Sequence, residues 1–296
     1  MIEILRDPAS ARGWCERERA AGRSLGFVPT MGALHEGHMA LVRAAVAEDE
    51  RVGVSVFVNP LQFDEARDFE RYPRDFEGDA RMLEASGCSM VFTGTLEQFF
   101  PEDVEAGGRF RRTSLRDPGP RARGLEGDLR PGHFAGVATI VARLFEIVRP
   151  DRAYFGQKDF QQTLVVQDLA RQMGFPRIVV CPTVRERDGL AMSSRNRLLS
   201  PSDRSTATLL SRSLEAARAA WRAGGREAAT LSRAMREVFD PSRTDGAPVS
   251  VEYATVRDPD AWTQDEPQGR LERAVALVAA RVASVRLIDN TVVHGP

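Results

Sequence analysis

The sequence predicts an α/β protein: a doubly wound parallel sheet, followed by a smaller C-terminal α+β domain. The first observation is that short apolar runs alternate with helical periodicity through roughly the first 180 residues. The second is that this alternating pattern ends near Val184, after which long helical segments precede strand-like runs. We therefore expect two domains, residues 1–183 and residues 184–296.

Length and composition support a folded, two-domain chain. At 296 residues it is long for one hydrophobic core, and 42% hydrophobic with 28% charged residues excludes a disordered or fibrous class. The net charge of −1 provides no positive field for nucleic acid, so small substrates are favoured. No signal-peptide pattern is present, and no apolar run reaches the roughly 20 residues of a membrane span. We expect neither nucleic acid nor membrane as a partner.

The three cysteines, Cys15, Cys88 and Cys181, are far apart and have no paired spacing. This pattern suggests neither a disulfide framework nor a zinc knuckle. We therefore expect a reducing, cytoplasmic environment.

The elements of the first domain follow from runs bounded by turn residues. The predicted strands are 25–28, 52–58, 89–92, 153–155 and 178–181, and the predicted helices are 39–47, 79–85, 134–148 and 161–173. Gly87 and Gly174 close the second and fourth helices as left-handed caps. Ligands of such folds bind beyond the carboxyl ends of the strands, where unusual residues follow Val28, Val58 and Phe155.

The second domain begins with a long helix, residues 202–223, interrupted by Gly224 and Gly225. A second helix ends near Val238, and the strand-like runs are 249–256, 274–280 and 285–288. Residues 101–128 are rich in Gly, Arg and Pro with little periodicity, which predicts a long loop near the cleft between the domains.

One residue type is almost missing: 40 of the 41 basic residues are arginine, and the remaining one is Lys158. A general bias toward arginine explains why lysine is avoided, but it does not explain why position 158 still carries a lysine. Lys158 therefore indicates a need for a compact ammonium group rather than a forked guanidinium. A solvated lysine on a helix face is the simpler alternative.

Residues 27–45, FVPTMGALHEGHMALVRAA, join a predicted strand to a predicted helix. His35 and His38 stand where the helix begins, and the helix dipole and its terminal amides attract anions there. Two imidazoles add donors that can follow charge on a phosphate. The pair could instead bind zinc or cap the helix, although the sequence shows no His or Cys cluster to supply a third ligand.

Residues 154–162, YFGQKDFQQ, place Lys158 and Asp159 directly after a strand that ends at Gly156. An ammonium group at this edge can neutralise oxygens of an α-phosphate, and Gly156 lets a ring approach the backbone. The alternative is a surface lysine paired with Asp159, which contributes little.

Residues 183–199, TVRERDGLAMSSRNRLL, form a polar turn ahead of a helix. The hydroxyls of Ser193 and Ser194 and the guanidinium of Arg195 suit a pyrophosphate leaving group. Ser-Ser-Arg before a helix could also be no more than an N-cap.

Two further segments suit a small branched hydroxy acid. Asn59 and Gln62 follow a predicted strand beside apolar residues, so amides can meet hydroxyl and carboxylate groups while apolar walls meet methyl groups. An ordinary Asn-Pro turn is the alternative for Asn59. Arg130 and His133 precede a strongly apolar helix, where they could hold a carboxylate or merely cap.

Six blocks of this sequence together resemble the pantothenate synthetase family: PTMGALHEGH, FVNPLQF, RYPRD, RPGHFAGV, FGQKDFQQ and PTVRERDGLAMSSRN. They span about residues 20–200, and agreement across all six by chance is not credible. Beyond them the resemblance is thinner, chiefly ALVAARVASVRLIDN near the C-terminus.

The resemblance implies a Rossmann-like first domain, a smaller C-terminal lid domain, magnesium-dependent use of ATP and a homodimer. It also implies a reaction in two steps. Pantoate attacks the α-phosphate of ATP to give pantoyl adenylate and pyrophosphate, and β-alanine then displaces AMP to form pantothenate.

The resemblance also assigns roles to residues. Around the triphosphate it places His35, His38, Lys158, Ser193, Ser194 and Arg195, and near the nucleoside Met31, Gly156, Asp159 and Met192. Gln62 and Gln162 correspond to pantoate ligands, with Asn59, Arg130 and His133 on the β-alanine side. Asp79 corresponds to the magnesium-site aspartate.

The sequence departs from the family pattern at two positions, Gln157 where many relatives carry Glu and Gly78 where an acidic residue is common. These departures bear on the metal assignment more than on the reaction. Rival interpretations are a nucleotidyltransferase, a ligase resembling aminoacyl-tRNA synthetases, and a nucleotide-binding regulatory module without catalysis. The neutral charge argues against tRNA, and Lys158 with the two amides argues against a module without catalysis.

Overall fold

In the computed structural model, residues 2–64, 66–240 and 248–294 are described. The chain forms two compact units. The first unit comprises Met1–Ala122, Glu126–Gly156 and Gln161–Pro182, and the second comprises Arg123–Leu125, Gln157–Phe160 and Thr183–Pro296. The division into domains 1–183 and 184–296 stays a prediction.

The first unit is built on a parallel sheet of six strands. In chain order the strands are β1 Glu3–Leu5, β2 Leu25–Thr30, β3 Arg51–Val56, β4 Met90–Phe92, β5 Arg152–Gly156 and β6 Arg177–Cys181. Their spatial order is β1-β4-β3-β2-β5-β6. The chain therefore builds outward from β2 and then returns to β5 on the other side of β2, which is the switch point of a doubly wound fold. The predicted fold class is confirmed.

Helices cover both faces of this sheet. The helices up to β6 are, in chain order, α1 Pro8–Ala20, α2 Glu36–Glu48, α3 Ala66–Arg71, α4 Phe76–Glu84, α5 Leu96–Phe99, α6 Glu126–Leu129, α7 His133–Val148 and α8 Phe160–Met173. Phe27 and Phe155 belong to the core shared with α1, α7 and α8. Their neighbours Val28 and Tyr154 belong to the core shared with α2 and α4. Successive strand residues face opposite sides, so both faces of the central strands are apolar.

The second unit has helices α9 Pro201–Arg222 and α10 Ala228–Glu237 and an antiparallel sheet. Its strands are β7 Val249–Arg257, β8 Arg273–Val282 and β9 Val285–His294, in that spatial order. Leu210, Leu214, Trp221 and Leu231 of the helices share one core with the sheet. Gly224, with φ +98°, ends the long helix as the sequence predicts.

Most predicted elements of the first domain are confirmed, including the positive φ of Gly87 and Gly174. The strand β1 and the helices α1, α3, α5 and α6 are additional. Residues 101–128 are largely loop as predicted, with short 3-10 turns at Arg112–Ser114 and Pro120–Ala122 and the start of α6 at its end. No helix within the described residues is long and apolar enough to cross a membrane.

Candidate functional site

The loop between β2 and α2 is compact because its backbone is held at several points. The Thr30 hydroxyl donates to the carbonyl of Ser55 over 2.7 Å and accepts from Gly32 N over 3.1 Å. Gly32 has φ +81°, and a Cβ there would lie 2.8 Å from Asp79 Oδ2. Glycine is therefore required, and the half-buried Met31 lies beside it.

Asp79 anchors the same loop from α4. Its Oδ2 accepts from Ala33 N over 2.9 Å, and its Oδ1 accepts from Leu34 N over 2.8 Å. The residue is only 4% exposed, and these charge-assisted hydrogen bonds compensate for its burial. No group of three His, Cys, Asp or Glu side chains that could hold a metal ion occurs in the described parts of the chain. Asp79 therefore anchors the loop, and its role as a magnesium ligand stays a prediction.

His35 and His38 form a reciprocal cap at the start of α2. His35 Nδ1 accepts from Gly37 N over 3.1 Å, and His38 Nδ1 accepts from His35 N over 3.3 Å. The two rings lie 4.1 Å apart between centroids. An Nδ1 that accepts a backbone N–H carries no proton, so each neutral ring has its proton on Nε2 and can donate there. The capping alternative is thus what the structure shows.

Gln62 is the centre of a second cluster in the first unit. It ends the 3-10 turn Pro60–Gln62, and its Oε1 accepts from Asn59 Nδ2 over 3.0 Å. Asn59 is 1% exposed; its Nδ2 also donates to Gly136 O over 3.2 Å, and its Oδ1 accepts from Leu61 N. Asn59 is therefore used in orienting Gln62, whose amide NH2 group is left as a donor for a ligand.

Arg130 and His133 bind the backbone carbonyl of Gln62. The Gln62 carbonyl accepts from His133 Nδ1 over 2.8 Å and from Arg130 Nη2 over 3.3 Å. Arg130 Nη1 lies 3.3 Å from His133 Nε2, and arginine only donates, so the His133 proton is on Nδ1. Arg130 also pairs with Asp64 over 3.2 Å. Burial acts to raise the pKa of Asp64, but the charge of Arg130, hydrogen bonds from the backbone and from Arg130, and the charge of His133 together lower it below its usual value.

The structure brings four of the five predicted substrate residues into one hydrogen-bonded group. Asn59, Gln62, Arg130 and His133 form the hydrogen-bonded group just described. Gln162 is half-buried in the first turn of α8. Its neighbour Gln161 is buried and binds Glu126 N and Arg121 O, so Gln161 is a structural residue.

In the second unit, Lys158 lies in the 3-10 turn Gln157–Asp159, which the chain enters from Gly156 at the end of β5. Its Nζ is 3.4 Å from Asp159 Oδ1, a distance too long for a strong ion pair. The Lys158 side chain is 21% exposed. The paired-lysine alternative is present but weak, so the ammonium group can change partner when an anion binds.

The loop that carries Ser193, Ser194 and Arg195 is held from within. Ser193 Oγ accepts from Arg195 N over 3.3 Å and caps the short turn Ser194–Leu198. Asn196 is 6% exposed and donates to Glu186 Oε1 over 2.6 Å and to Ala191 O over 3.0 Å. Met192, Ser193, Ser194 and Arg195 all remain half-buried. The N-cap alternative is therefore what Ser193 shows.

Sequence reasoning missed three residues that organise the second unit: Arg185, Asp289 and Asn290. Asp289 and Asn290 are each 2% exposed within β9. The only signal was a polar pair inside the apolar run RLIDN. Buried polar pairs of this kind require partners, which sequence alone does not name.

Comparisons with known proteins agree over nearly the whole chain. A family model described as pantoate-beta-alanine ligase matches residues 3–292. A pantothenate synthetase of Rubrobacter xylanophilus is 49% identical over 291 residues, 97% of each chain. One from Chloroflexus aggregans is 45% identical over 290 residues, 98% of this chain and 99% of the relative.

Solved structures agree as well. The crystal structure of a pantothenate synthetase from Thermus thermophilus has a TM-score of 0.86 and 42% identity, covering 99% of this chain and 100% of that one. The pantoate-beta-alanine ligase of Francisella tularensis, complexed with beta-gamma ATP and β-alanine, has a TM-score of 0.76 and 28% identity. That match covers 98% of this chain and 97% of the other.

Proposed function

The chain belongs to the pantoate-β-alanine ligase family, and from this membership we infer that it joins pantoate to β-alanine with the use of ATP. The products are pantothenate, AMP and pyrophosphate. The observation that carries this conclusion is the family match over residues 3–292. The donors at the start of α2 support it, because they suit a triphosphate.

In the first step, a carboxylate oxygen of pantoate attacks the α-phosphorus of ATP. The bond from this phosphorus to the oxygen bridging to the β-phosphate breaks, and pyrophosphate leaves. We assign charge stabilisation at the phosphates to the Nε2–H groups of His35 and His38 and to the Lys158 ammonium. Ser193, Ser194 and Arg195 would hold the leaving pyrophosphate. Met31, Gly156, Asp159 and Met192 are assigned to the nucleoside.

In the second step, the amine of β-alanine attacks the acyl carbon of pantoyl adenylate. The C–N bond forms, AMP leaves with the electrons of the acyl C–O bond, and the amine loses its proton. A free carboxylate is a poor acyl donor, whereas the mixed anhydride has a good leaving group, so the adenylate makes this attack feasible.

Gln62 and Gln162 are assigned to pantoate. The Gln62 amide NH2 can donate to the hydroxyl or carboxylate of the substrate because Asn59 already occupies Oε1. Asn59 acts through Gln62. Arg130 and His133 stay proposed for the β-alanine side, in addition to holding the Gln62 carbonyl.

The experiment for this function is pantoate-dependent exchange of labelled pyrophosphate into ATP, without β-alanine. Exchange indicates reversible adenylation, and a non-catalytic nucleotide-binding module would show none. Absence of exchange with ATP still bound would contradict the two-step reaction.

Lys158→Ala tests the catalytic assignment. We expect the exchange rate to fall by roughly 10²- to 10⁴-fold with little change in thermal stability, because the ammonium acts on charge at the transition state. Lys158→Arg is the matched control, since it keeps the charge but replaces the compact ammonium with a planar fork. Near-normal turnover of Lys158→Ala would remove this residue from the mechanism.

Magnesium is proposed as the companion of ATP. A divalent ion would shield the triphosphate oxygens from one another and from the incoming carboxylate. Asp79 is the protein ligand that the family resemblance implies, and both of its oxygens also accept backbone hydrogen bonds.

We also propose a homodimer in the cytoplasm. The family resemblance supports the dimer, and light scattering on the purified protein would test it by giving twice the mass of one chain. The three cysteines are free and buried, which agrees with a reducing compartment.

A further inference from the structure

The strand β9 carries two buried polar residues that also bind partners outside the strand. Asp289 and Asn290 are each 2% exposed. The sheet order places β9 at an edge, so its outer side can receive loops. Burial of an amide and a carboxylate is unfavourable unless both are hydrogen-bonded, so their contacts indicate why they are there.

Asn290 binds the turn that contains the proposed catalytic lysine. Its Nδ2 donates to the carbonyl of Gln157 over 2.9 Å and to the carbonyl of Lys158 over 2.7 Å. Both hydrogens of one amide are therefore used on two successive carbonyls. These bonds fix the orientation of both peptide groups, and with them the direction in which the Lys158 side chain leaves the backbone.

Asp289 locks the strand at the neighbouring position. Its two oxygens accept from Arg185 over 2.6 and 3.0 Å, and Oδ1 also accepts from Asn290 N over 2.7 Å. Arg185 in turn donates to Gly189 O over 3.0 Å and to Asn290 O over 3.2 Å. The backbone of Asn290 is thus held on both sides, so its amide is presented in one position.

From this geometry we infer that Asn290 is a positioning residue for Lys158 in adenylation. The inference rests on the proposed function, because it concerns the residue assigned to the α-phosphate. Asn290 is assigned no contact with the substrate. It acts by keeping the ammonium where charge develops, and an error of about 1 Å in such a placement can cost on the order of a hundredfold in rate.

Asn290→Asp is the informative variant because it keeps the shape but puts an oxygen in place of the donor. That oxygen would face the carbonyls of Gln157 and Lys158, so the turn must shift. We expect pyrophosphate exchange to fall 10- to 100-fold. Val293→Ala is the matched control: Val293 is a 4% exposed core residue of β9, so its loss lowers the unfolding temperature without removing a contact to the turn.

A second readout does not depend on turnover. Lys158 is the only lysine of the chain, so an amine-reactive acetylating reagent can modify only this side chain and the N-terminal amine. Mass spectrometry then reports the ATP concentration that protects Lys158. We expect Asn290→Asp to require at least tenfold more ATP for protection of Lys158. Val293→Ala should require the same ATP concentration as the wild-type protein.

The outcomes separate the possibilities. Exchange within twofold of normal in Asn290→Asp, with normal protection of Lys158, would overturn the inference. Equal loss of exchange in Val293→Ala would also overturn it, because the effect would then come from stability alone. If the wild-type protein shows no exchange, the proposed function fails. The protection assay still decides whether Asn290 positions the Lys158 side chain.

Discussion

Asp79 Oδ1 lies 2.8 Å from the backbone nitrogen of Leu34, so a carboxylate on α4 holds the loop that leads into α2. The second oxygen does the same for Ala33. The two proposed phosphate donors, His35 and His38, follow directly. The position of the donors therefore depends on a residue that need not touch the nucleotide.

Asp79→Asn should lower both stability and exchange. An amide offers one acceptor oxygen and turns an NH2 group toward the other backbone N–H, so we expect a loss of about 1–3 kcal/mol and at least a tenfold lower exchange rate. Thermal unfolding and exchange across a range of magnesium concentrations measure both. Asp75→Asn, which changes the N-cap of the same helix, is the control and should leave exchange intact. If a high magnesium concentration restored the exchange rate of Asp79→Asn, the result would favour a role of Asp79 as a metal ligand instead.

Gln62→Glu should weaken pantoate binding selectively. The new carboxylate can still accept from Asn59, so the turn should keep its place, but it repels the carboxylate of pantoate. We expect KM for pantoate to rise at least tenfold with KM for ATP unchanged, measured by initial rates of exchange. An unchanged KM for pantoate would show that Gln62 does not meet this substrate.

Two glycines give a matched pair of steric tests. A Cβ on Gly136 of α7 would lie 2.1 Å from Leu61 O, so Gly136→Ala must displace the turn that carries Gln62. We expect a stability loss of about 1–3 kcal/mol and a higher KM for pantoate. A Cβ on Gly156 meets nothing within 4 Å, so Gly156→Ala should fold normally and raise only KM for ATP. Normal ATP kinetics in Gly156→Ala would refute the close approach of the nucleoside.

The buried thiols should resist alkylation in the native protein. Burial disfavours the charged thiolate and raises the pKa of Cys15 and of Cys88 to about 12. Only about one thiol in ten thousand is then ionised near pH 8, and reactivity should grow as pH rises toward the shifted pKa. Iodoacetamide labelling followed by mass spectrometry, with and without denaturant, measures this. Rapid labelling of either residue in the native state would contradict it.

The elements that sequence patterns predicted well are those with strong, local signals. The apolar helix α7 was predicted as 134–148 and is observed as His133–Val148. The strands before the site residues were found because parallel strands buried on both faces are continuous apolar runs. By contrast, β1 has three residues and an Ile4 that is 44% exposed, so its pattern is too short and too open to recognise.

Within the site, residue types could be predicted but hydrogen-bond partners could not. His35, His38, Gln62 and Lys158 lie in the segments that follow the carboxyl ends of strands, where chemistry was expected. That Asn59 serves Gln62, and that Asn290 serves the turn of Lys158, depends on contacts between residues 3 and 132 positions apart. A local pattern contains no information on the longer of these contacts.

The adjacency of β2 and β5 has a kinetic consequence. The first bonds across this pair join Leu25 to Asp151, 126 residues apart along the chain, so closure is entropically slow compared with helix formation. In refolding from denaturant, the helical circular dichroism signal should recover first. The pairing of β2 with β5 should form later, and with it the carboxyl ends of the strands, where the proposed ligands bind. Enzyme activity should therefore be among the last properties to return.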